Sequence, residues 1–129
     1  MPDQSMPSRP VDAYKQIIDD LVERTPSLAA RLVGEDAVYS KAPGREKMNG
    51  WIKSLTAEQR SLLVEMLSEE RVGAIHDVLA TLTWWIDCRD VGMTYRGEAM
   101  PVQLSGQGLH GDYVGRRASW KWPNDDKKA

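Results

Sequence analysis

The sequence predicts a mainly α protein, a compact helical bundle of four or five helices with a short β-containing C-terminal arm; α+β is the alternative. Three observations carry this. Apolar residues recur at three- and four-residue intervals from Val11 to Ile86, the spacing of buried helix faces. Proline, glycine and capping residues cut that stretch into segments of helix length. Beyond Gly92 the period drops to two, as in half-buried strands.

The first helix is marked by Val11, Tyr14, Ile18, Leu21 and Val22 on one side and Asp12, Lys15, Asp19, Asp20, Glu23 and Arg24 on the other. Thr25 before Pro26 ends it, and the same pair reads as the start of a short second helix that Gly34 closes. After Pro43 and Gly44, the spacing of Met48, Trp51, Ile52 and Leu55 gives a short third helix, with Gly50 inside it as a weak point. Thr56 and Gln59 form a capping box. A longer helical stretch follows, with Leu62, Leu63, Met66 and Leu67 as its first buried stripe. Val72, Ile75, Leu79, Leu82 and Ile86 then make a main buried stripe, with Ala74, Val78 and Trp85 as a second one beside it. So wide an apolar arc predicts the central helix of the bundle. Glu58 to Arg89 fits one helix, or two broken near Ser68 or Gly73.

In the C-terminal third, Met100, Val102 and Leu104 alternate with polar positions, as do Ala118, Trp120 and Trp122. Both read as half-buried strands, and Tyr95-Arg96-Gly97-Glu98 as a hairpin turn. The expected organisation is a disordered leader over 1–9, a single helical domain with its β arm over 10–122, and a disordered tail over 123–129.

Composition narrows the function classes. The net charge of −2 is distributed as weak clusters, basic over 41–56 and 116–129 and acidic over 1–40 and 57–115, which is no nucleic-acid footprint. The single cysteine, Cys88, has no partner for a disulfide or a zinc cluster. The longest apolar run, Val78 to Ile86, is far too short to span a bilayer. A cytoplasmic protein without membrane association, nucleic-acid partner or cofactor is the expectation.

Gly106-Gln107-Gly108-Leu109-His110-Gly111 matches the glycine spacing of dinucleotide-binding loops. That chemistry needs a helix opening at the third glycine, a returning parallel strand and a later acidic residue. Asp112-Tyr113-Val114-Gly115 follows instead and reads as a tight loop. A looser possibility is an anion or small-ligand site, even a hydrolase, in a Ser105 to Arg117 glycine-rich loop. There the backbone amides around Gly108 form a nest, with His110, Asp112, Arg116 and Arg117 contributing and His76 closing from the helices. Glu65, Glu69, His76 and Asp87 fall on one helix line, which lacks the paired ligand spacings of bundle metal sites, so no metal is expected. Asp77, 100° round a helix from His76, is not placed to orient it.

Five tryptophans and no phenylalanine stand out. Trp84 falls off the main stripe, and Trp120 and Trp122 share a strand face near the charged terminus; either both sets pack in the monomer core, closing the bundle with the C-terminal segment, or they form an association surface. The leading expectation is a non-enzymatic interaction domain, partnered by itself as a homodimer or by another protein.

Overall fold

An amphipathic first helix, α1 (Pro10–Glu23), buries Ala13, Tyr14 and Ile18, the face set by its apolar spacing. The computed structural model describes residues 5–123. Four more helices follow: α2 (Leu28–Asp36), α3 (Glu46–Lys53), α4 (Ala57–Cys88) and, after a hairpin of β1 (Thr94–Tyr95) and β2 (Glu98–Ala99), α5 (Gly108–Arg117). The fold is mainly α with a small antiparallel β element, and α4 is one uninterrupted helix of 32 residues.

The chain divides into two compact units. Residues 24–74 form one, holding α2, α3 and the first half of α4. Ser27 rather than Thr25 caps α2, its hydroxyl accepting from the Ala30 amide at 3.2 Å. Gly34 lies inside that helix, where a Cβ would sit 3.5 Å from Val64 Cγ2. The stop comes at Ala37, which adopts φ 54°. Asn49 ties the loop before α3 by accepting from the Tyr39 amide and donating to the Ser40 carbonyl, both at 2.8 Å. The capping box forms as expected: the Thr56 amide donates to Gln59 at 2.9 Å and the Gln59 amide to Thr56 at 3.1 Å. Thr25, Ala30, Val33 and Ile52 are the buried residues of this unit.

The other unit joins α1 to everything from Ile75 onward. Here α5 packs on α1, and the core consists of Ala13, Tyr14, Ile18, Leu79, Thr83, Met100, Leu109, Asp112, Tyr113 and Trp122. The hairpin pairs Thr94 with Ala99 and Tyr95 with Glu98, and its turn residues Arg96 and Gly97 have φ of 51° and 82°, the two positive values that a tight two-residue hairpin turn requires. The Tyr95 hydroxyl donates to the Pro7 carbonyl at 2.6 Å, so part of the expected leader is held against the hairpin. Residues 1–4 and the tail from 124 lie outside the described residues.

Two strand expectations are corrected. Met100 to Leu104 pairs with no strand, because its amides go elsewhere: Gln103 donates to the Tyr14 hydroxyl and Leu104 to Asp112. Ala118 to Trp122 is the wrap-up of α5, with the Trp120 amide donating to the Gly115 carbonyl at 2.8 Å and Ser119 at φ 66°. The third correction is larger, since the glycine-rich loop is itself a helix. Gly108, at φ 84°, opens α5 where a Cβ would come within 3.0 Å of the Thr83 methyl. Gly115 lets the Trp120 ring lie 3.3 Å from where its Cβ would be.

Candidate docking surface

Around α5 the structure separates the residues that a ligand site would need together. Ser105, Gly108 and His110 lie at its N-terminal end, where the Leu109 amide donates to the Thr83 hydroxyl at 2.9 Å and the Gln107 amide to Ser105 Oγ at 3.2 Å. These amides are thus satisfied by the protein itself. His110 Nδ1 sits 3.4 Å from Thr83 Oγ1, and its ring meets that of His76 edge-on, 5.0 Å between centroids. Asp77 does reach His76, at 3.5 Å from Nδ1, although both side chains are exposed. Arg116 and Arg117 occupy the last turn of α5, about 12 Å along the helix from Gly108 at 1.5 Å per residue. A single anion cannot draw on both ends. A dinucleotide fold is also absent: a helix does open at the glycines, but the segment before it is no strand, and the sheet among the described residues is only the antiparallel hairpin.

Asp112 is fully buried on the face of α5 that meets α1. It accepts from the Tyr14 hydroxyl at 2.5 Å and from the Leu104 and Ser105 amides at 2.8 Å each. Burial, then the hydrogen bond to Asp112 and its charge, push the Tyr14 phenol well above its ordinary value, so the phenol stays a donor. Among the described residues no buried side-chain nitrogen or oxygen lacks a partner. Asp112 therefore fastens the 103–105 turn to α1 and offers no open valence to a ligand.

The C-terminal tryptophans are fastened likewise. Arg116 makes a two-point contact with Asp19, at 2.7 and 3.2 Å, and donates to the Trp120 carbonyl at 2.6 Å. Trp122 is buried beneath that guanidinium, 5.0 Å from its ring centre, and its indole N–H donates to Asp19 at 3.2 Å. Trp120 stacks edge-on against it at 5.3 Å. Trp122 closes the core of its own unit; Arg117 alone of this group is exposed.

The outward half of α4 between Asp77 and Cys88 is open. Val78 is 60% exposed, Leu82 41%, Trp84 47% and Trp85 46%. Trp84 leaves the buried face as expected, but Trp85 and Leu82, read as buried stripes, leave it too. The inward direction of this half is set by Leu79 and Thr83; positions 78 and 85 point away from it, and Leu82 lies at its edge. Asp77, Val78, Thr81 and Leu82 line a shallow, apolar groove there. The two indoles meet edge-on at 5.5 Å, with the Arg89 guanidinium 5.1 Å above the Trp84 ring.

Residues 7–124 match a family of unknown function, DUF6547. The chain belongs to this family. The match takes in both units and the whole of α4 and α5. No curated protein and no solved structure matches the chain. Among the described residues no helix is long and apolar enough to cross a membrane and no group of three or more His, Cys, Asp or Glu is placed to hold a metal ion. Of the acidic line, Asp87 accepts from the Gln103 side chain at 2.8 Å.

Proposed function

We propose that this chain is a non-enzymatic, self-associating interaction domain of the cytoplasm that docks through the outward half of α4. The observation carrying this reading is the exposure of Val78, Leu82, Trp84 and Trp85, each more than two fifths exposed on the same half of α4. Large aromatic side chains left exposed together mark association sites, because only a partner removes them from water. The exposed, unbridged Cys88 suits a reducing compartment. Sedimentation velocity across the micromolar range tests the proposal: the native chain associates, while Leu82→Glu, on an exposed position, stays monomeric with an unchanged melting temperature. A native chain that is monomeric throughout overturns it.

A further inference from the structure

We infer that the loop entering α3, together with the outward side of that helix, is a peripheral docking surface for an anionic lipid bilayer. Between positions 41 and 54 one side chain is buried, that of Ile52, and residues 41–48 form an unbroken exposed run. Ile52 and the half-buried Asn49 set the inward direction of α3. Lys47 and Trp51, one turn apart, stand away from it, and Met48 lies at the edge beside Trp51. Trp51 is 58% exposed and Met48 40%. Asn49 holds the exposed Tyr39 against the same helix, accepting from its amide at 2.8 Å. Four cations, Lys41, Arg45, Lys47 and Lys53, stand in this stretch against one carboxylate, that of Glu46, which accepts from the Gly44 amide. Lys41 pairs with Asp36 at 3.2 Å. Among the described residues no ion pair engages Arg45, Lys47 or Lys53.

In the sequence these cations form one weak cluster. The structure adds that three of them are unpaired and that Trp51, Met48 and Tyr39 are exposed among them. Amphipathic rings flanked by long basic side chains suit the bilayer interface: the rings and the thioether enter at headgroup level while the cations meet lipid phosphates and carboxylates. A peptide partner takes a groove or a sheet edge, and an exposed run anchored by one side chain offers neither. The negative charge of a cytoplasmic leaflet fits the compartment proposed above. Contact is peripheral, since no helix among the described residues is long and apolar enough to cross a membrane. The net charge of −2 on the whole chain opposes it, so binding is reversible and turns the loop and α3 toward the lipid. The surface lies in the 24–74 unit and does not depend on association through α4.

Cosedimentation of the full-length chain with vesicles of equal parts phosphatidylserine and phosphatidylcholine tests this. The native chain sediments with them at low salt, stays in solution with pure phosphatidylcholine, and is released at about 1 M salt, where surface charge is screened within about 3 Å. Arg45→Gln and Lys47→Gln each weaken the partition about fivefold, the contribution of one basic side chain near an anionic surface, and the pair about 25-fold. Trp51→Ala weakens it at least as much as either. Arg117→Gln removes the same charge from an exposed position on α5 and leaves the partition at the native level. All four positions are exposed or lie at a helix end, so melting temperatures stay within a degree or two of native. A native chain that ignores the anionic vesicles overturns the proposal. So does equal binding to pure phosphatidylcholine, or native binding by the Arg45→Gln, Lys47→Gln pair. Binding to polyglutamate without binding to vesicles also overturns it and assigns the surface to an acidic protein segment.

Discussion

Tyr14 and Asp112 come from helices 98 residues apart in sequence, and together they fix the turn at 103–105. Removing the acceptor in Asp112→Ala leaves the buried Tyr14 hydroxyl with no group to donate to and takes the acceptor from two part-buried amides, at about 1–3 kcal/mol for a buried group left unsatisfied; a loss of about 1–3 kcal/mol or more in denaturant unfolding is expected. Tyr14 gives a pH signature. Its phenol is held above the ordinary value near 10, so the folded state binds a proton that the unfolded state releases above that pH. The stabilisation is complete below pH 10 and is lost as pH rises further. The melting temperature of the native chain should therefore fall more steeply above pH 10 than that of Tyr14→Phe, which starts lower for want of the hydrogen bond. Equal slopes would show that the phenol is not held in this way. Neither residue could be paired with the other from sequence. Asp112 looked like part of a polar loop because the helix that buries it contains three glycines.

Among the elements, α5 shows propensity overruled by packing. Gly111 and Gly115 each cost a helix interior up to about 1 kcal/mol relative to alanine, yet Leu109, Asp112 and Tyr113 are buried and hold the helix. Gly108→Ala places a Cβ against Thr83 and His110 at positive φ and should destabilise by about 1–3 kcal/mol. Gly73 offers the opposite case. It lies inside α4 with nothing within 4 Å of its would-be Cβ, so Gly73→Ala should stabilise by about 0.5–1 kcal/mol. Thermal melts of the two variants, moving in opposite directions, check both. The helix α4 was legible in its start, signalled by Thr56 and Gln59, and in its extent; which of its apolar stripes would be covered was not. Two stripes of equal apolar character, one with Leu79 and one with Val78, cannot be ranked without knowing where α1 and α5 lie.

For the whole molecule, the C-terminal segment after α5 belongs to the fold, since Trp122 is 4% exposed and caps the core beside Tyr14, 6.1 Å between ring centres. A chain ending at Arg117 loses Trp122, the Trp120 contact and the carbonyl that Arg116 binds. Fully burying one large apolar side chain is worth about 1.5–3 kcal/mol, a sizeable part of a small domain's net stability, so this truncation should aggregate or melt well below the full chain. An unaltered, cooperative melt would return both tryptophans to the surface as association residues. With Trp122 inside, the proposed association rests on α4.

Local rules in the sequence determined the helix-rich class, the first helix and its buried face, the capping box at Thr56, the turn at Arg96 and Gly97 and the outward lean of Trp84, because periodicity, caps and tight turns act over a few residues. Tertiary structure alone decided that Ser105 to Arg117 is a helix, that Arg116 and Trp122 converge on Asp19, and that Val78, Leu82 and Trp85 stay in water. Those outcomes depend on which surfaces meet across the fold. An alternating or glycine-rich stretch records that one side is to be covered, without recording by what.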